Sequence, residues 1–347
     1  MKEQMHERTP REEMIGILRG SFAVPVLTTL DQMGVLSRLL EQPALVADFS
    51  EVANQRALEA MLTYLEQLGL MTQQSDSRFA PTPMGRKLLK RIGGAHILGS
   101  YRAYFEQLPQ LLASPKKPAS MVVDRAQNLL GCASLHPVKY FPNALAMLGG
   151  QEPIADCIDV GSGDGAWLNA VATRWPEVRI TGVDVSPEAF GPGWAALKER
   201  LPAGHTHSVL ADGRDVAHWS RELPRRNGRR LISCWFLIHE ICKGKVEEAV
   251  QFLADLHRHD PEAEVLIGEI VAVKNDVLSH TKHQTIMPEF LLFHALSGQT
   301  PLTTEQWNAV RKAIPYKVAA ELQFDPLTRT PGEVEASAFI WHLVPAA

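Results

Sequence analysis

Short apolar runs alternate with helical stretches from about residue 153 to the C-terminus. Helical segments placed between apolar runs are typical of a parallel sheet with helices on both faces. Five runs are predicted as its strands: 155–161, 179–185, 207–212, 231–237 and 264–273. The last segment, 315–345, has the pattern of an antiparallel pair instead. The pattern therefore predicts an α/β fold with a doubly wound sheet.

The N-terminal part of the chain has a helical pattern. Apolar residues recur at helical spacing through 12–41, where Pro25 predicts a break or kink near Val24. A further helix is predicted near 51–71. The segment that follows, QQSDSRFAPTPMGRKLL, predicts two short extended pieces around a polar turn and then another helix. Helices followed by a small β-wing are typical of a winged-helix module.

Charge and composition narrow the partners that this chain can have. It has 347 residues, 35 basic and 39 acidic, and a net charge of -4. No basic excess marks a nucleic-acid surface, so the winged-helix module is expected to serve packing or dimerisation. No apolar run approaches the roughly 18 residues of a membrane span, and the charged N-terminus resembles no secretory signal. Four scattered cysteines fit buried thiols in a reducing cytoplasm.

A glycine-rich loop follows the first predicted strand. Its sequence is Asp159-Val160-Gly161-Ser162-Gly163-Asp164-Gly165, and a helix is predicted from Ala166. Glycines let the backbone turn tightly and approach a ligand. Asp184 ends the second strand, 23 residues after Gly161, which is close to the spacing of an acid that binds ribose hydroxyls. The loop is therefore a candidate nucleoside site.

Two kinds of cofactor share this logic. Gly161, Gly163 and Ala166 fit a loose form of the dinucleotide fingerprint. The carboxylate of Asp164, however, would repel a pyrophosphate and suit the cationic methionine end of S-adenosylmethionine (SAM). Asp212, at the end of the third strand, can accept a hydrogen bond from an adenine amino group. SAM is favoured, and its predicted contacts are Asp159, Gly161, Ser162, Gly163, Asp164, Asp184, Val185, Asp212 and Gly213.

Together, the winged-helix pattern, DVGSGDG, GVDVS, the Ala211-Asp212 pair and WFLIHEI identify a resemblance. The chain resembles the class I small-molecule methyltransferases of the O-methyltransferase type found in natural-product pathways. The resemblance implies a homodimer through the N-terminal region and a small-molecule substrate. The chain is then divided into a winged-helix-like dimerisation domain, 1–95, a helical linker and substrate cap, 96–150, and a Rossmann-like SAM-binding catalytic domain, 151–347.

The predicted reaction centre follows the fourth strand. The family has a His-Asp pair there, and the matching residues are His239 and Glu240. The carboxyl end of a central strand is where open α/β sheets bind ligands. A histidine base fits removal of a phenolic proton near neutral pH, and Glu240 is expected to orient the imidazole. This interpretation describes a metal-free O-methyltransferase.

A second histidine, His294 in FLLFHALSGQ, favours a different reaction. The chain resembles the 2-oxo-acid C-methyltransferases that make β-methyl amino acids, in which two histidines hold ferric iron or zinc. The resemblance implies that His239 and His294 hold such a metal, and that Arg125 binds the substrate carboxylate. A metal-chelated enolate would then be methylated at C3. The substrate is expected to be 5-guanidino-2-oxopentanoate, for which Glu106 and Glu289 are candidate partners, or an aromatic or branched 2-oxo acid.

Two enzyme hypotheses therefore stay open, and a third comes from another class. The first is C3 methylation of a 2-oxo acid with a metal, and the second is metal-free O-methylation with His239 as general base. The third is a winged-helix regulator that senses SAM. It needs a basic recognition helix, whereas the 51–71 segment has only Arg56.

Overall fold

Two units make up the chain in the computed structural model. The model describes residues 9–114, 116, 119–150, 152–226, 228–281, 285–330 and 333–346. The division between the units falls between Leu135 and His136, inside the helix Arg125–Lys139. The three-part division into 1–95, 96–150 and 151–347 stays a prediction.

The N-terminal unit consists mainly of helices, with a two-stranded antiparallel ribbon among them. Its elements are α1 (Pro10–Gln32), α2 (Val35–Glu41), α3 (Gln55–Gln67), β1 (Met71–Gln73), β2 (Phe79–Pro81), α4 (Pro83–Leu89), α5 (Gly93–Gly99), α6 (Arg102–Glu106), α7 (Leu108–Ala113) and the first part of α8 (Arg125–Lys139). The ribbon turns through Ser77, which has a φ of 66°. The predicted wing, with its polar turn and the helix after it, is therefore confirmed.

Helix α1 does not break where the sequence pattern places the break. The helix continues from Pro10 to Gln32 with Pro25 inside it. A proline inside a helix removes one backbone donor, and the helix continues past that loss. The chain turns at Gly34 instead, whose φ of 73° is the left-handed conformation that commonly follows a helix end. The predicted break near Val24 is therefore wrong, the alternative of a kink there stays a prediction, and Gly34 marks the end of the helix.

Helix α1 is also long and apolar enough to cross a membrane, judged by length and composition. An 18-residue window of the helix has a mean hydropathy of 1.3, and 17% of that window is buried. The sequence analysis expected no such length because it counted uninterrupted apolar residues, and Arg19 interrupts this stretch. The mean hydropathy of the window stays high in spite of Arg19. A core helix of a water-soluble protein can pass the same test, so the finding by itself assigns no membrane.

The C-terminal unit alternates strands with helices, as the sequence pattern predicts. Its elements are α9 (Phe141–Leu148), β3 (Asp156–Val160), α10 (Ala166–Arg174), β4 (Arg179–Asp184), α11 (Pro192–Arg200), β5 (Thr206–Leu210), α12 (Val216–Trp219), β6 (Arg230–Trp235), α13 (Ile238–Cys242), α14 (Val246–His259), β7 (Glu264–Ile270), α15 (Asn275–Thr281), α16 (Met287–Ser297), α17 (Thr304–Ala313), β8 (Tyr316–Thr330) and β9 (Glu333–Pro345). All five predicted strands and the antiparallel pair 315–345 are confirmed.

The strands form one seven-stranded sheet in the order β5-β4-β3-β6-β7-β9-β8. Strands β3 to β7 are parallel, and β9 pairs antiparallel with both β7 and β8. Apolar side chains pack on both faces of the sheet, which makes two separate cores. The chain order reverses between β3 and β6, and open α/β sheets bind ligands at the carboxyl ends of such a strand pair. The predicted α/β fold is therefore confirmed, and it places the glycine loop and His239 at that position.

Candidate functional site

The glycine loop leaves β3 in a conformation that few other residues adopt. Gly161, Gly163 and Gly165 have φ values of 75°, 52° and 80°. A Cβ at Gly165 would lie 2.8 Å from the side chain of Leu197 and 3.1 Å from that of Trp194, so the helical layer leaves no room for one. Positive φ and this close packing both require glycine. The loop then passes into α10, whose first backbone N–H groups lie at the site.

Carboxylates stabilise the loop from two sides. The Gly163 N–H donates to Asp184 Oδ2 at 3.0 Å, and the Ser186 N–H donates to the other oxygen at 2.9 Å. Asp164 accepts from the Ala166 N–H at 3.1 Å, and burial raises its pKa. Since carboxylates already accept from these N–H groups, a phosphate group would meet negative charge at this loop. The arrangement matches a cationic ligand.

Asp159 lies beneath the loop and is 2% exposed. It accepts a hydrogen bond from the Ser233 hydroxyl on β6 at 2.6 Å. Burial raises the pKa of Asp159 to about 8, against the lowering effect of that bond and with a further contribution from Asp184 and Asp164. Its surroundings favour the neutral form, and its predicted contact with the cofactor stays a prediction.

The residues that follow β4 and β5 are more exposed to solvent than Asp159. Val185 is 66% exposed. Asp212 accepts from the Arg214 guanidinium at 3.0 and 3.1 Å, a partner that the sequence analysis did not consider. The Gly213 carbonyl accepts from Trp219 Nε1 at 3.1 Å. An adenine amino group would share the Asp212 carboxylate with Arg214, so the adenine contact stays a prediction.

His239 is held by Glu269. Its Nδ1 lies 2.8 Å from Glu269 Oε1, and its backbone N–H donates to Glu269 Oε2 at 3.0 Å. Both side chains are buried, with His239 4% and Glu269 0% exposed. Burial opposes charge on the imidazole, but the nearby Glu269 carboxylate raises the pKa of His239. The charge of Glu240 also raises this pKa, and the predicted orienting role of Glu240 stays a prediction.

The structure brings His294 to His239, as predicted. The two Nε2 atoms are 3.1 Å apart, and His294 is 3% exposed. The ring of His294 packs on Phe290, with 3.8 Å between ring centroids. Its Nδ1 lies 2.8 Å from the Phe290 carbonyl oxygen. Burial, and then the charge of His239, lower the pKa of His294 to about 3.

These contacts fix the tautomers of both rings. A carbonyl oxygen only accepts, so His294 Nδ1 carries the proton and its Nε2 presents a lone pair. Glu269 likewise takes the Nδ1–H of His239. In the neutral form of His239 two lone pairs would then face each other across 3.1 Å. Such an arrangement is stable with a positive charge between the atoms, either a proton on His239 or a metal cation.

The two histidines offer two nitrogen atoms as candidate metal ligands. Two imidazole nitrogens that bind one ion in neighbouring positions at roughly 2.1 Å lie about 3 Å apart. The pair therefore fits a transition metal, with His239 and His294 as its protein ligands. Across the parts of the chain that the structure describes, no three His, Cys, Asp or Glu side chains group as metal ligands. The predicted iron or zinc is thus untested, and would have open positions.

The predicted substrate residues lie on several elements of the chain. Arg125 is the first residue of α8 and belongs to the N-terminal unit, so its carboxylate-binding role stays a prediction. Glu106 pairs with Arg102 at 2.6 Å, and its side chain is 57% exposed. Glu289, in the first turn of α16, is also exposed. The preference for a guanidino substrate, which rests on these two acids, stays a prediction.

Glu269 and Ser233 are the contacts that sequence reasoning missed. Glu269 interrupts the apolar run EVLIGEIVAV near its end. A charged residue at a buried strand position needs a partner, because an unpaired buried charge is costly. The sequence therefore indicated that Glu269 needs a partner. The identity of the partner depended on β6 and β7 being neighbours, which places Trp235 opposite Gly268.

The fold agrees with that of small-molecule methyltransferases. No known family model and no curated protein matches the sequence. Similar solved structures include the mitomycin 7-O-methyltransferase MmcR (17% identity, 97% of this chain and 98% of that chain, TM-score 0.62). Human N-acetylserotonin methyltransferase in complex with SAM matches with 15% identity over all of both chains, at a TM-score of 0.62. The SAH-bound CalO1, a methyltransferase in calicheamicin biosynthesis, matches with 18% identity over 98% of this chain and 100% of that chain, at 0.57. At these identities the likeness establishes the fold.

Proposed function

We propose that the protein is a SAM-dependent methyltransferase that acts on a small molecule. The observation that carries this proposal is the glycine loop with carboxylates on two sides, beside His239 on the adjacent strand end. SAM supplies an activated methyl group on a sulfonium. The acidic loop suits the cationic methionine end of that molecule and disfavours a pyrophosphate. Asp184, at the end of β4, is the proposed acceptor for the ribose hydroxyls.

A binding measurement tests the cofactor. We expect SAM and S-adenosylhomocysteine (SAH) to raise the melting temperature of the protein, since a ligand that binds only the folded state stabilises it. NAD should have no effect. The variant Asp184→Asn should weaken SAH binding, whereas Asp255→Asn, on the surface helix α14 next to Arg258, should bind it normally. Stabilisation by NAD in place of SAH would contradict the proposal.

The first candidate reaction is O-methylation with His239 as general base. Glu269 holds the imidazole at Nδ1, so Nε2 is the atom that can take a proton from an acceptor hydroxyl. The resulting imidazolium would be held between Glu269 and the lone pair of His294. The acceptor oxygen, freed of its proton, would attack the methyl group in line as the S–CH3 bond of SAM breaks, its electron pair goes to sulfur and SAH leaves. The name of the structural neighbour MmcR, a mitomycin 7-O-methyltransferase, agrees with an oxygen acceptor.

The second candidate is methylation at C3 of a 2-oxo acid, with a metal held by His239 and His294. The two facing lone pairs favour it, because a cation between them satisfies both nitrogens. A metal there supplies Lewis-acid stabilisation of the enol form of the substrate. Glu269 hydrogen-bonds the far nitrogen of His239, which is how carboxylates orient and strengthen histidine ligands. Arg125 remains the proposed partner of the substrate carboxylate.

One set of measurements separates the two reactions. Metal content is measured for the purified protein and for His294→Ala, with His218→Ala as the matched control on the surface helix α12. Bound iron or zinc that is lost only in His294→Ala, with methylation of 2-oxo acids, supports the second reaction. A metal-free protein that methylates phenols supports the first.

We further propose that two copies of the chain associate through α1. The N-terminal part of this helix exposes apolar side chains at helical spacing, with Met14 55%, Ile17 67%, Leu18 54% and Phe22 66% exposed. An uncovered apolar stripe of this kind marks an interaction surface. A homodimer would bury it through the same face of both copies.

A further inference from the structure

Asp159 is an acid without a cationic partner in the described surroundings of the loop. It lies near the end of β3, 2% exposed, and accepts from the Ser233 hydroxyl at 2.6 Å. The charged groups that act on it are the carboxylates of Asp164 on the loop and Asp184 on β4. The titratable thiols of Cys157 on β3 and Cys234 on β6 also feel its charge. None of these groups would stabilise a charged Asp159.

Negative charge on Asp159 is therefore costly in the free protein. Burial strips the carboxylate of water, and its two acidic neighbours repel it. The hydrogen bond from the Ser233 hydroxyl offsets part of this cost. The free protein consequently holds Asp159 as a neutral acid at pH 7, in agreement with a pKa of about 8.

We propose that binding of the cofactor is coupled to the release of one proton from Asp159. This inference rests on the proposed SAM-binding function. The α-ammonium and sulfonium of the cofactor bring positive charge to a loop that holds three acids. The O–H bond of the Asp159 carboxyl group breaks, its electron pair stays on the carboxylate, and the proton goes to the buffer. The positive charge of the cofactor then acts on a carboxylate in place of a neutral acid.

The proposal has a defined pH dependence. A proton that leaves on binding makes affinity rise with pH for as long as the free protein is protonated. With a free pKa of about 8 and a much lower one in the complex, affinity should rise close to tenfold between pH 6 and pH 7. The amino group of the ligand stays protonated over this range, so its own titration does not produce the effect.

Calorimetry in buffers of different ionisation enthalpy counts the proton. The protein is titrated at pH 7 with SAH, which keeps the α-ammonium, and with 5′-methylthioadenosine, which lacks the amino-acid part. We expect SAH to release roughly 0.9 proton and methylthioadenosine to release none. The same titrations at pH 6 and pH 7 give the change in affinity.

Two variants assign the proton to Asp159. In Asp159→Asn the release should disappear, and SAH affinity should no longer differ between pH 6 and pH 7. Ser233→Ala should keep the release and move the midpoint of the pH dependence upward, because the bond that favours the charged acid is gone. Asp212→Asn should also keep the release, since Asp212 is paired with Arg214.

The outcomes separate the two proposals. SAH binding without proton release overturns the coupling and leaves the methyltransferase proposal standing. Release that persists in Asp159→Asn also overturns it. If Asp159→Asn does not fold, an unchanged midpoint in Ser233→Ala would overturn it instead. Failure of both SAM and SAH to bind would reject the proposed function itself.

Discussion

His239 and Glu269 come from the ends of two neighbouring strands, and each explains why the other is tolerated in the interior. A buried carboxylate without a partner is costly, and so is a buried imidazolium. Glu269 accepts from both the backbone and the ring of His239, which satisfies its two oxygens at once. The pair therefore fixes the ring in one tautomer with Nε2 directed at His294.

Replacement of Glu269 should impair the reaction more than replacement of Glu240. Glu269→Gln removes the charge that orients His239, so we expect kcat to fall by roughly 10- to 100-fold. Glu240→Gln, the matched control on the next residue, should change kcat less than threefold, because Glu269 is the acid that binds both the ring and the backbone N–H of His239. Steady-state kinetics of both variants measures this. A larger loss in Glu240→Gln would support the orienting role of that residue.

At the level of single residues, the sequence analysis identified the candidate site side chains but missed the residue that holds His239 in position. His239, His294 and the loop acids were identified because each lies in or beside a motif. Glu240 was favoured as the orienting acid since it is adjacent in sequence. Glu269 lies 30 positions away and reaches His239 only because β6 and β7 pair in register. Strand pairing of this kind is not encoded in local pattern.

The elements of the sheet were predictable because apolar runs mark strands directly. Strands β6 and β7 are buried along nearly their whole length, and their sequences are mostly apolar. The ends of the helices were harder to predict from the sequence. Pro25 predicted a break or kink, yet α1 continues past it, and the chain turns at Gly34 in the left-handed conformation. The sequence pattern therefore located the helices better than it located their ends.

Close packing between β6 and β7 should make Gly268 sensitive to substitution. A Cβ at Gly268 would lie 2.3 Å from the Trp235 ring, and Gly268 directly precedes Glu269. Gly268→Ala must displace the indole or the strand, so we expect a loss of about 1 to 3 kcal/mol in stability. It should also lower kcat, since both residues lead into the reaction centre.

Gly20 provides the matched control for this prediction. It lies inside α1, and a Cβ there would meet nothing within 4 Å. Gly20→Ala should therefore be neutral or stabilise by roughly 0.5 to 1 kcal/mol, as expected for glycine in a helix interior. Denaturant unfolding and kinetics of both variants provide the comparison. Equal stability of Gly268→Ala and the unmodified protein would show that the strands shift without cost.

At the scale of the whole molecule, the carboxyl and amino ends of the central strands carry different groups of residues. The carboxyl ends of β3, β4 and β6 hold the loop acids and His239. The amino ends are held together by ion pairs, in which Arg230 joins Asp156 and Asp260 at 3.2 and 3.0 Å. Arg229 forms a two-point contact with Glu264 at 2.7 Å. The reaction centre and the ion pairs that stabilise the sheet thus lie at opposite ends of the strands.

The exposed stripe of α1 should decide the oligomeric state. We expect the protein to be a dimer in solution, and Leu18→Glu combined with Phe22→Glu to make it monomeric, because charge on both copies would enter one apolar interface. Light scattering coupled to gel filtration measures the mass. Leu112→Glu, at a side chain that is 87% exposed on α7, should remain dimeric as the matched control.

Helix α1 also has the length and hydropathy of a membrane span, so the same stripe has a competing partner. Flotation with lipid vesicles distinguishes the two. A dimer interface predicts that the unmodified protein stays out of the lipid fraction, because each copy covers the stripe of the other. Flotation of the unmodified protein that is lost in the Leu18→Glu and Phe22→Glu variant would assign the stripe to lipid. A monomeric unmodified protein that does not float would contradict both assignments.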